Sequence, residues 1–342
     1  MRRVAINGFG RIGRLLFRQL EADPNLEVVA INDLGDLENL AYLLQYDSVY
    51  RTFPHEVKAD VAGEALLVSG RKVTVLHEKD PSLLPWGGMD IDVVVESTGF
   101  FESFEGASAH LKAGARRVVI SAPAKDTEGV EGGRTVLMGI NDDVIESTPL
   151  TSNGSCTTNA TAPIMAILAE KIGVERAMLG TVHAYTGTQS LTDAPVRGSH
   201  DFRRGRAAAL SIAPSTTGAA VTVGRVVPSL VGKFDGLAYR VPVPTGSLAD
   251  VTFVASRQTT VDEVNQAVVD AAASPRFAGV IGVAAGQLVS SDIVGMPFGA
   301  VFDPAFTKVV DGTLVKVVAW YDNEAGYVST LVRHVGKAAS SI

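Results

Sequence analysis

Gly8-Phe9-Gly10-Arg11-Ile12-Gly13 lies between a β-rich apolar run, Val4 to Ile6, and a stretch from Arg11 to Leu20 whose apolar residues recur at helical spacing. In that setting each glycine has a physical job. The first permits a tight turn, the second lets main chain approach a pyrophosphate, and the third allows close packing of helix on strand. The helix start then offers N–H donors to an anion. A second β-rich run ends at Asn32-Asp33, about 20 residues past the last glycine, the spacing at which a carboxylate meets the hydroxyls of an adenosine ribose. Together these residues predict a bound dinucleotide on a Rossmann unit.

Outward from the turn, the first half alternates β-rich and amphipathic stretches: Val28 to Ile31, Leu37 to Leu44, Val93 to Val95, Ala107 to Ala113, Val118 to Ile120. Alternation of this kind predicts βαβ units and a parallel sheet. Val57 to Val61, Ala65 to Val68 and Lys72 to Leu76 come without helices and predict an antiparallel excursion. The second half has a helix over about 157–171 and β-rich runs at Met178 to Tyr185, Leu237 to Val243, Val251 to Ala255 and Leu314 to Trp320. The expected fold is α/β, a Rossmann dinucleotide-binding domain plus an α+β catalytic domain with a mixed or antiparallel sheet. The expected boundaries are 1–152 joined by a C-terminal helix, 321–342, with 153–320 between them.

The chain has 342 residues, 46% hydrophobic and 20% charged, which suits two folded domains rather than a disordered or low-complexity chain. Its formal charge is −7, with no block of like charge, so neither nucleic acid nor an anionic membrane is expected as a partner. The longest apolar stretch falls well short of the ~20 residues of a membrane span. A single cysteine makes no internal disulfide, and a cytoplasmic protein is expected. In the second half Arg197, Arg203, Arg204 and Arg206 cluster in a stretch without apolar period, read either as a solvated loop or as a site for an anionic substrate.

The one thiol lies in Ser152-Asn153-Gly154-Ser155-Cys156-Thr157-Thr158-Asn159, just ahead of a helical run. A cysteine at a helix N-terminus feels the positive end of the dipole, which favours thiolate. His183, in His183-Ala184-Tyr185-Thr186 at the end of a β-rich run, is a base that could form an ion pair with that thiolate and relay protons. A dinucleotide, a thiol and a histidine suggest aldehyde oxidation through a hemithioacetal and an acyl thioester. The remaining histidines, His55, His77, His110, His200 and His334, have no metal-ligand spacing, so no metal is expected.

At this point the residues resemble one family over nearly the whole chain. Asn7 to Arg14, Ser152 to Asn159, His183 to Thr186, Arg204-Gly205-Arg206-Ala207-Ala208, Ser215-Thr216-Thr217-Gly218-Ala219-Ala220 and Trp320-Tyr321-Asp322-Asn323-Glu324 are similar, in order, to glyceraldehyde-3-phosphate dehydrogenase. The resemblance implies a phosphorylating, NAD-dependent oxidation of glyceraldehyde 3-phosphate to 1,3-bisphosphoglycerate in glycolysis, by a homotetramer, with inorganic phosphate as second substrate. It implies Cys156 as nucleophile and His183 as base. Thr186, Arg203 and Arg240 match residues holding the substrate's phosphate, with Arg203 or Arg204 left open. Ser155, Thr157, Thr217 and Gly218 match the site of the attacking phosphate. Gly10, Arg11, Ile12, Asp33, Thr98, Gly99 and Ser121 match cofactor contacts, as do Asn323 and Tyr327 at the nicotinamide. Ala160 departs from the family, which commonly has a second cysteine there, and so does Ala325, where a larger residue is usual. The alternatives weighed are an erythrose-4-phosphate dehydrogenase releasing its product with water, and a dinucleotide-sensing protein without catalysis.

Overall fold

β1 (Arg2–Asn7), buried from Val4 onward, is an inner strand of a nine-stranded sheet. A short run covered on both faces is what a central parallel strand requires. The computed structural model that shows this describes residues 1–196 and 200–342; Arg197, named above in the arginine cluster, lies outside the described residues. α1 (Arg11–Leu20) carries the chain from β1 to β2 (Leu26–Asn32), which pairs with β1 in parallel. α2 (Leu37–Gln45) is capped by Asp36, whose side chain accepts from Asn39 N. β3 (Val57–Asp60), β4 (Ala65–Val68) and β5 (Arg71–Leu76) then form an antiparallel ribbon, joined to β2 through β5 in parallel.

The chain next crosses to the other side of β1, as β6 (Val93–Glu96), α3 (Phe104–Lys112), β7 (Arg117–Ile120), β8 (Arg134–Thr135) and β9 (Leu150–Ser152). The strand order β3-β4-β5-β2-β1-β6-β7-β9-β8 therefore changes direction at β1. In open α/β sheets the crevice at the carboxyl ends of the strands around such a switch point is where ligands bind. Trp86, Phe104, Val94 and Val118 pack in the core on one side of this sheet. Each large apolar side chain buried there contributes roughly 1.5–3 kcal/mol relative to exposure.

A second compact unit comprises Ser155–Tyr327, while the first comprises Met1–Gly154 and Val328–Ile342. The second opens with α4 (Cys156–Lys171), buried from Thr157 through Leu168. A helix buried all round belongs inside a unit, and α4 packs on other elements of this unit. There follow β10 (Val174–Ala184), β11 (Ala213–Thr216), α5 (Ala219–Val226), β12 (Phe234–Val241), β13 (Ser247–Ala255) and α6 (Val261–Ala272). β14 (Ile281–Val283), β15 (Ala300–Phe302), β16 (Lys308–Val310) and β17 (Leu314–Tyr321) complete the sheet. Its order is β11-β12-β10-β13-β17-β15-β14, with β16 on β17. Most pairs are antiparallel, but β10 and β12 run parallel, with His183 directly opposite Arg240.

The closing helix α7 spans Ala325–Ser340 rather than starting at 321. Tyr321 still pairs with Ser247 in the sheet, and the Asp322 carboxylate accepts from Glu324 N and Ala325 N, which turns the chain into the helix. From Val328 onward α7 belongs to the first unit. His334 bonds Thr151 and Asn153, Thr330 bonds Asn153, and Lys337 pairs with Asp142. Among the described residues, no helix is long and apolar enough to cross a membrane.

Candidate active site

The glycine turn follows β1 and opens α1. Gly8 has φ +94°, and a Cβ there would lie 2.5 Å from Thr98 N. At Gly13 a Cβ would lie 2.2 Å from Gly8 O. These two glycines are required by the protein's own packing. Gly10 is not: its φ is −70°, and a Cβ would meet nothing within 4 Å. The open space above Gly10 suits a ligand pressed against main chain, and the first turn of α1, begun by Arg11 and Ile12, directs N–H groups toward that end. The cradle thus fits a dinucleotide pyrophosphate.

Around the turn, the Asp33 carboxylate accepts from Phe9 N at 2.7 Å and Gly35 N at 2.8 Å. It therefore shapes the turn, and its remaining lone pairs are available to a ribose diol. The Arg11 guanidinium is engaged by Asp47 at 2.6 Å. Thr98 donates to Glu96, Gly99 takes φ +76°, and Ser121 N donates to Glu96 O. Leu34 and the 86% exposed Phe100 stand beside these loops in sequence, two large apolar residues in water that the sequence reading passed over.

In the second unit, Cys156 is the first residue of α4 and is partly exposed. Ser155 caps the helix, its Oγ accepting from Thr158 N, so that hydroxyl is held by the cap. Cys156 Sγ lies 3.4 Å from His183 Nε2. The other ring nitrogen, Nδ1, is 2.7 Å from Ala184 O. The Ala184 carbonyl only accepts and the Arg240 guanidinium, 2.8 Å from the same nitrogen, only donates; in the tautomer with the proton on Nδ1 toward the carbonyl, the Nε2 lone pair faces the sulfur. Arg240 Nη1, brought alongside by strand register, donates to Ala184 O at 3.1 Å and stands 2.8 Å from Nδ1.

Burial acts against charge on both partners of the expected ion pair. Burial pushes the Cys156 thiol up, opposed first by the Arg240 charge and then by hydrogen bonds from Thr157. Burial lowers His183 to about 3, helped by Arg240 and, more weakly, Arg204, while the Ala184 carbonyl opposes. The arrangement favours a neutral thiol donating to a neutral imidazole, and the charge that favours thiolate comes from Arg240. Arg240 is itself lowered by burial and raised by Cys156.

The structure separates the two arginines left open by the sequence. Arg203 turns to Asp201 at 2.7 Å and its side chain is 58% exposed. Arg204 instead donates to Ser215 Oγ at 2.9 Å and points Nη1 toward Thr188 Oγ1 at 3.5 Å. Its charge is the one felt by both His183 and Arg240. The short helical turn Phe202–Gly205 thus sends the two neighbouring side chains in different directions, Arg203 to Asp201 and Arg204 to Ser215 and Thr188. Thr186 Oγ1 bonds Thr188 Oγ1 at 3.0 Å. Gly218 is the N-cap of α5, with nothing within 4 Å of where a Cβ would be, and Thr217 Oγ1 accepts from Ala219 N.

Tyr321 and Ser247 were not singled out from sequence. The Tyr321 hydroxyl bonds Thr157 Oγ1 at 2.9 Å and Thr181 Oγ1 at 2.7 Å, and its ring meets the His183 ring edge-on at 5.8 Å. Burial, then the Cys156 charge, raises the Tyr321 phenol. Asn323 Oδ1 accepts from Ser247 Oγ at 2.9 Å and Gly246 N at 3.2 Å, which fixes the orientation of its amide. Tyr327 is buried at the start of α7, its N–H bonded to Asp322 O.

Comparison with known proteins follows the same division. The family model for the NAD binding domain of glyceraldehyde 3-phosphate dehydrogenase matches residues 2–104, and that for its C-terminal domain matches residues 155–323. The chain is 47% identical over 337 residues to glyceraldehyde-3-phosphate dehydrogenase of Clostridium pasteurianum, covering 97% of each chain. It is 46% identical over 332 residues to that of Geobacillus stearothermophilus, covering 96% of each, and 45% identical over 348 residues to that of Mycobacterium avium, covering 99% of each. Fold and matches define an NAD-dependent dehydrogenase. The chain belongs to the glyceraldehyde-3-phosphate dehydrogenase family.

Proposed function

We propose that the enzyme oxidises glyceraldehyde 3-phosphate in the presence of inorganic phosphate, giving 1,3-bisphosphoglycerate and NADH, as glycolysis requires. Family membership supports the reaction; the 3.4 Å contact between Cys156 Sγ and His183 Nε2 supports the assignment of roles. His183 takes the thiol proton as the sulfur attacks the aldehyde carbon, and returns it to the new alkoxide, giving a hemithioacetal. Bound NAD supplies the acceptor for the hydride. His183 Nε2 then takes the hydroxyl proton, and a thioester forms on Cys156. Attack by hydrogen phosphate breaks the carbon–sulfur bond, the proton on His183 goes back to the sulfur, and the proton of the attacking phosphate is released to solvent.

Arg240, Thr186 and Arg204 supply donors for the phosphate groups, with Thr188 and Ser215 orienting them. Thr217, Gly218 and the start of α5 add further donors, while the Thr157 hydroxyl is held by Tyr321. In the first unit Gly10, Arg11, Ile12, Asp33, Thr98, Gly99 and Ser121 form the dinucleotide cradle. Asn323 and Tyr327 serve the nicotinamide, Asn323 through the amide nitrogen left by its fixed Oδ1.

A homotetramer accounts for apolar surface on the second unit: Met178 and Val182 on β10, Leu237 and Tyr239 on β12, and the 82% exposed Leu191 and 85% exposed Leu210. Contiguous apolar patches mark subunit interfaces. A cytoplasmic setting, where thiols stay reduced, suits chemistry resting on the chain's one cysteine. The direct test measures NADH formation from glyceraldehyde 3-phosphate with and without phosphate. Sustained turnover should need phosphate; equal turnover without it would mean release by water and overturn the reading.

A further inference from the structure

Glu96 ends β6 and is 2% exposed. Four neutral donors surround its carboxylate. Thr98 N, at 2.8 Å, and Thr98 Oγ1 meet Oε1, while Asn7 Nδ2 and His110 Nε2, the latter at 3.1 Å, meet Oε2. The proton positions follow from Trp86. Its indole N–H, which can only donate, gives to His110 Nδ1 at 3.0 Å. Nδ1 is therefore the acceptor, and Nε2 carries the proton that goes to Glu96. The network continues through Asn7 Oδ1 to Asn32 Nδ2 at 2.7 Å, and Asn32 closes on the main chain of Glu78.

This carboxylate sits between two loops. Asn7 leads into the glycine turn, and Thr98 belongs to the loop whose main chain already touches Gly8. Ser97 Oγ adds a bond to Gly8 O at 2.7 Å. We propose that Glu96, with its hydrogen-bond pattern imposed by Trp86 through His110, is a positioning residue for NAD that sets the spacing between the glycine turn and Thr98–Gly99. The proposal rests on NAD lying against those two loops. An amide cannot replace the carboxylate, since its NH2 would face a donor on one side or the other.

The test uses the full-length enzyme and measures the NAD dissociation constant, the KM values, kcat and the melting temperature. Glu96→Gln should raise the NAD Kd and the KM for NAD about tenfold or more, the effect of leaving the two buried donors at one oxygen unpaired, with kcat at saturating NAD and the KM for glyceraldehyde 3-phosphate changed less than about twofold. Adding Trp86→Phe removes the N–H that fixes the tautomer, so His110 can accept from the Gln amide. In that background only Asn7 Nδ2 still faces the Gln amide, so the cost of Glu96→Gln should shrink several-fold without vanishing, a coupling that a general loss of stability does not give. Thr98→Val removes the hydroxyl link alone and should raise the Kd several-fold, which keeps the test open if Glu96→Gln does not fold. Gly10→Val separates the two readings. If it leaves NAD affinity intact, the placement of NAD is wrong; if it abolishes binding while Glu96→Gln and Thr98→Val leave the Kd unchanged, or Trp86→Phe gives no recovery, the role of Glu96 is overturned.

Discussion

In the first unit the open surface at Gly10 is main chain, shaped by glycines within one short turn. In the second, the groups proposed for the chemistry are side chains delivered from separate elements: Cys156 from the start of α4, His183 and Arg240 from neighbouring strands, Arg204 from a helical turn. A main-chain site tolerates side-chain change wherever the backbone keeps its course. A side-chain site depends on identity and register, so it concentrates its chemistry in a few residues that each matter greatly. The changes below, in falling order of expected effect, sharpen that contrast or break it.

Cys156→Ser replaces a thiol by a hydroxyl of far higher pKa, and turnover should fall by a factor on the order of 10³ or more. NAD binding, measured by titration, should survive. Retained turnover would mean that the second site does not depend on this side chain.

Arg204→Leu should cost about 10- to 100-fold in kcat/KM, the loss of charge-assisted bonds to an anion, while Arg203→Leu should stay within about twofold. Steady-state kinetics with glyceraldehyde 3-phosphate and phosphate varied in turn decide it. The reverse ranking would restore the sequence assignment.

A third outcome concerns acid. Burial lowers His334 to about 3 and His183 to about 3, both below the ordinary 6.5. The unfolded chain therefore binds protons that the folded one does not. Stability from these groups is fully present above pH 6.5 and is lost as pH falls from there toward 3, by up to a few kcal/mol per group. Urea midpoints between pH 7 and 5 should fall, and fall less in His334→Gln. An equal slope in both proteins would remove His334 as a cause.

The smallest effect belongs to the main-chain cradle. Asp33→Ala should weaken NAD about tenfold, since Phe9 N and Gly35 N lose their acceptor as well as the ribose losing its partner. It should also narrow the preference over NADP, because the carboxylate repels a 2′-phosphate. An unchanged ratio of catalytic efficiencies would mean that Asp33 acts on the turn alone.

The same contrast explains what could be read from sequence. α1 was legible to the residue, Arg11–Leu20, because a glycine turn and an apolar period bound it. The excursion over β3 to β5 was legible from three β-rich runs without helices. The Cys156 and His183 contact was anticipated from two local contexts, a helix start and a strand end. Arg204 was not resolved from Arg203, since neighbouring residues on a turn differ only in direction, which no local pattern encodes. The sign of the His183 environment was missed for a related reason: it follows first from burial and then from Arg240 lying opposite in the β10–β12 register, both products of long-range packing. Tyr321 was assigned to the helix because its partner in the sheet, Ser247, is distant in sequence.

The division of α7 has a consequence for how the chain is made. The first unit needs residues Val328–Ile342, yet roughly 170 residues of the second unit are synthesised between Gly154 and that segment. At ribosomal speeds of about 5–20 residues per second, the open first unit waits on the order of 10–35 s for its last helix. During that interval His334 is not there to meet Thr151 and Asn153, and the sheet surface that α7 completes stays open to water or to chaperones. The second unit, continuous in sequence, is complete once Tyr327 is made, so the half begun second has all its residues before the half begun first.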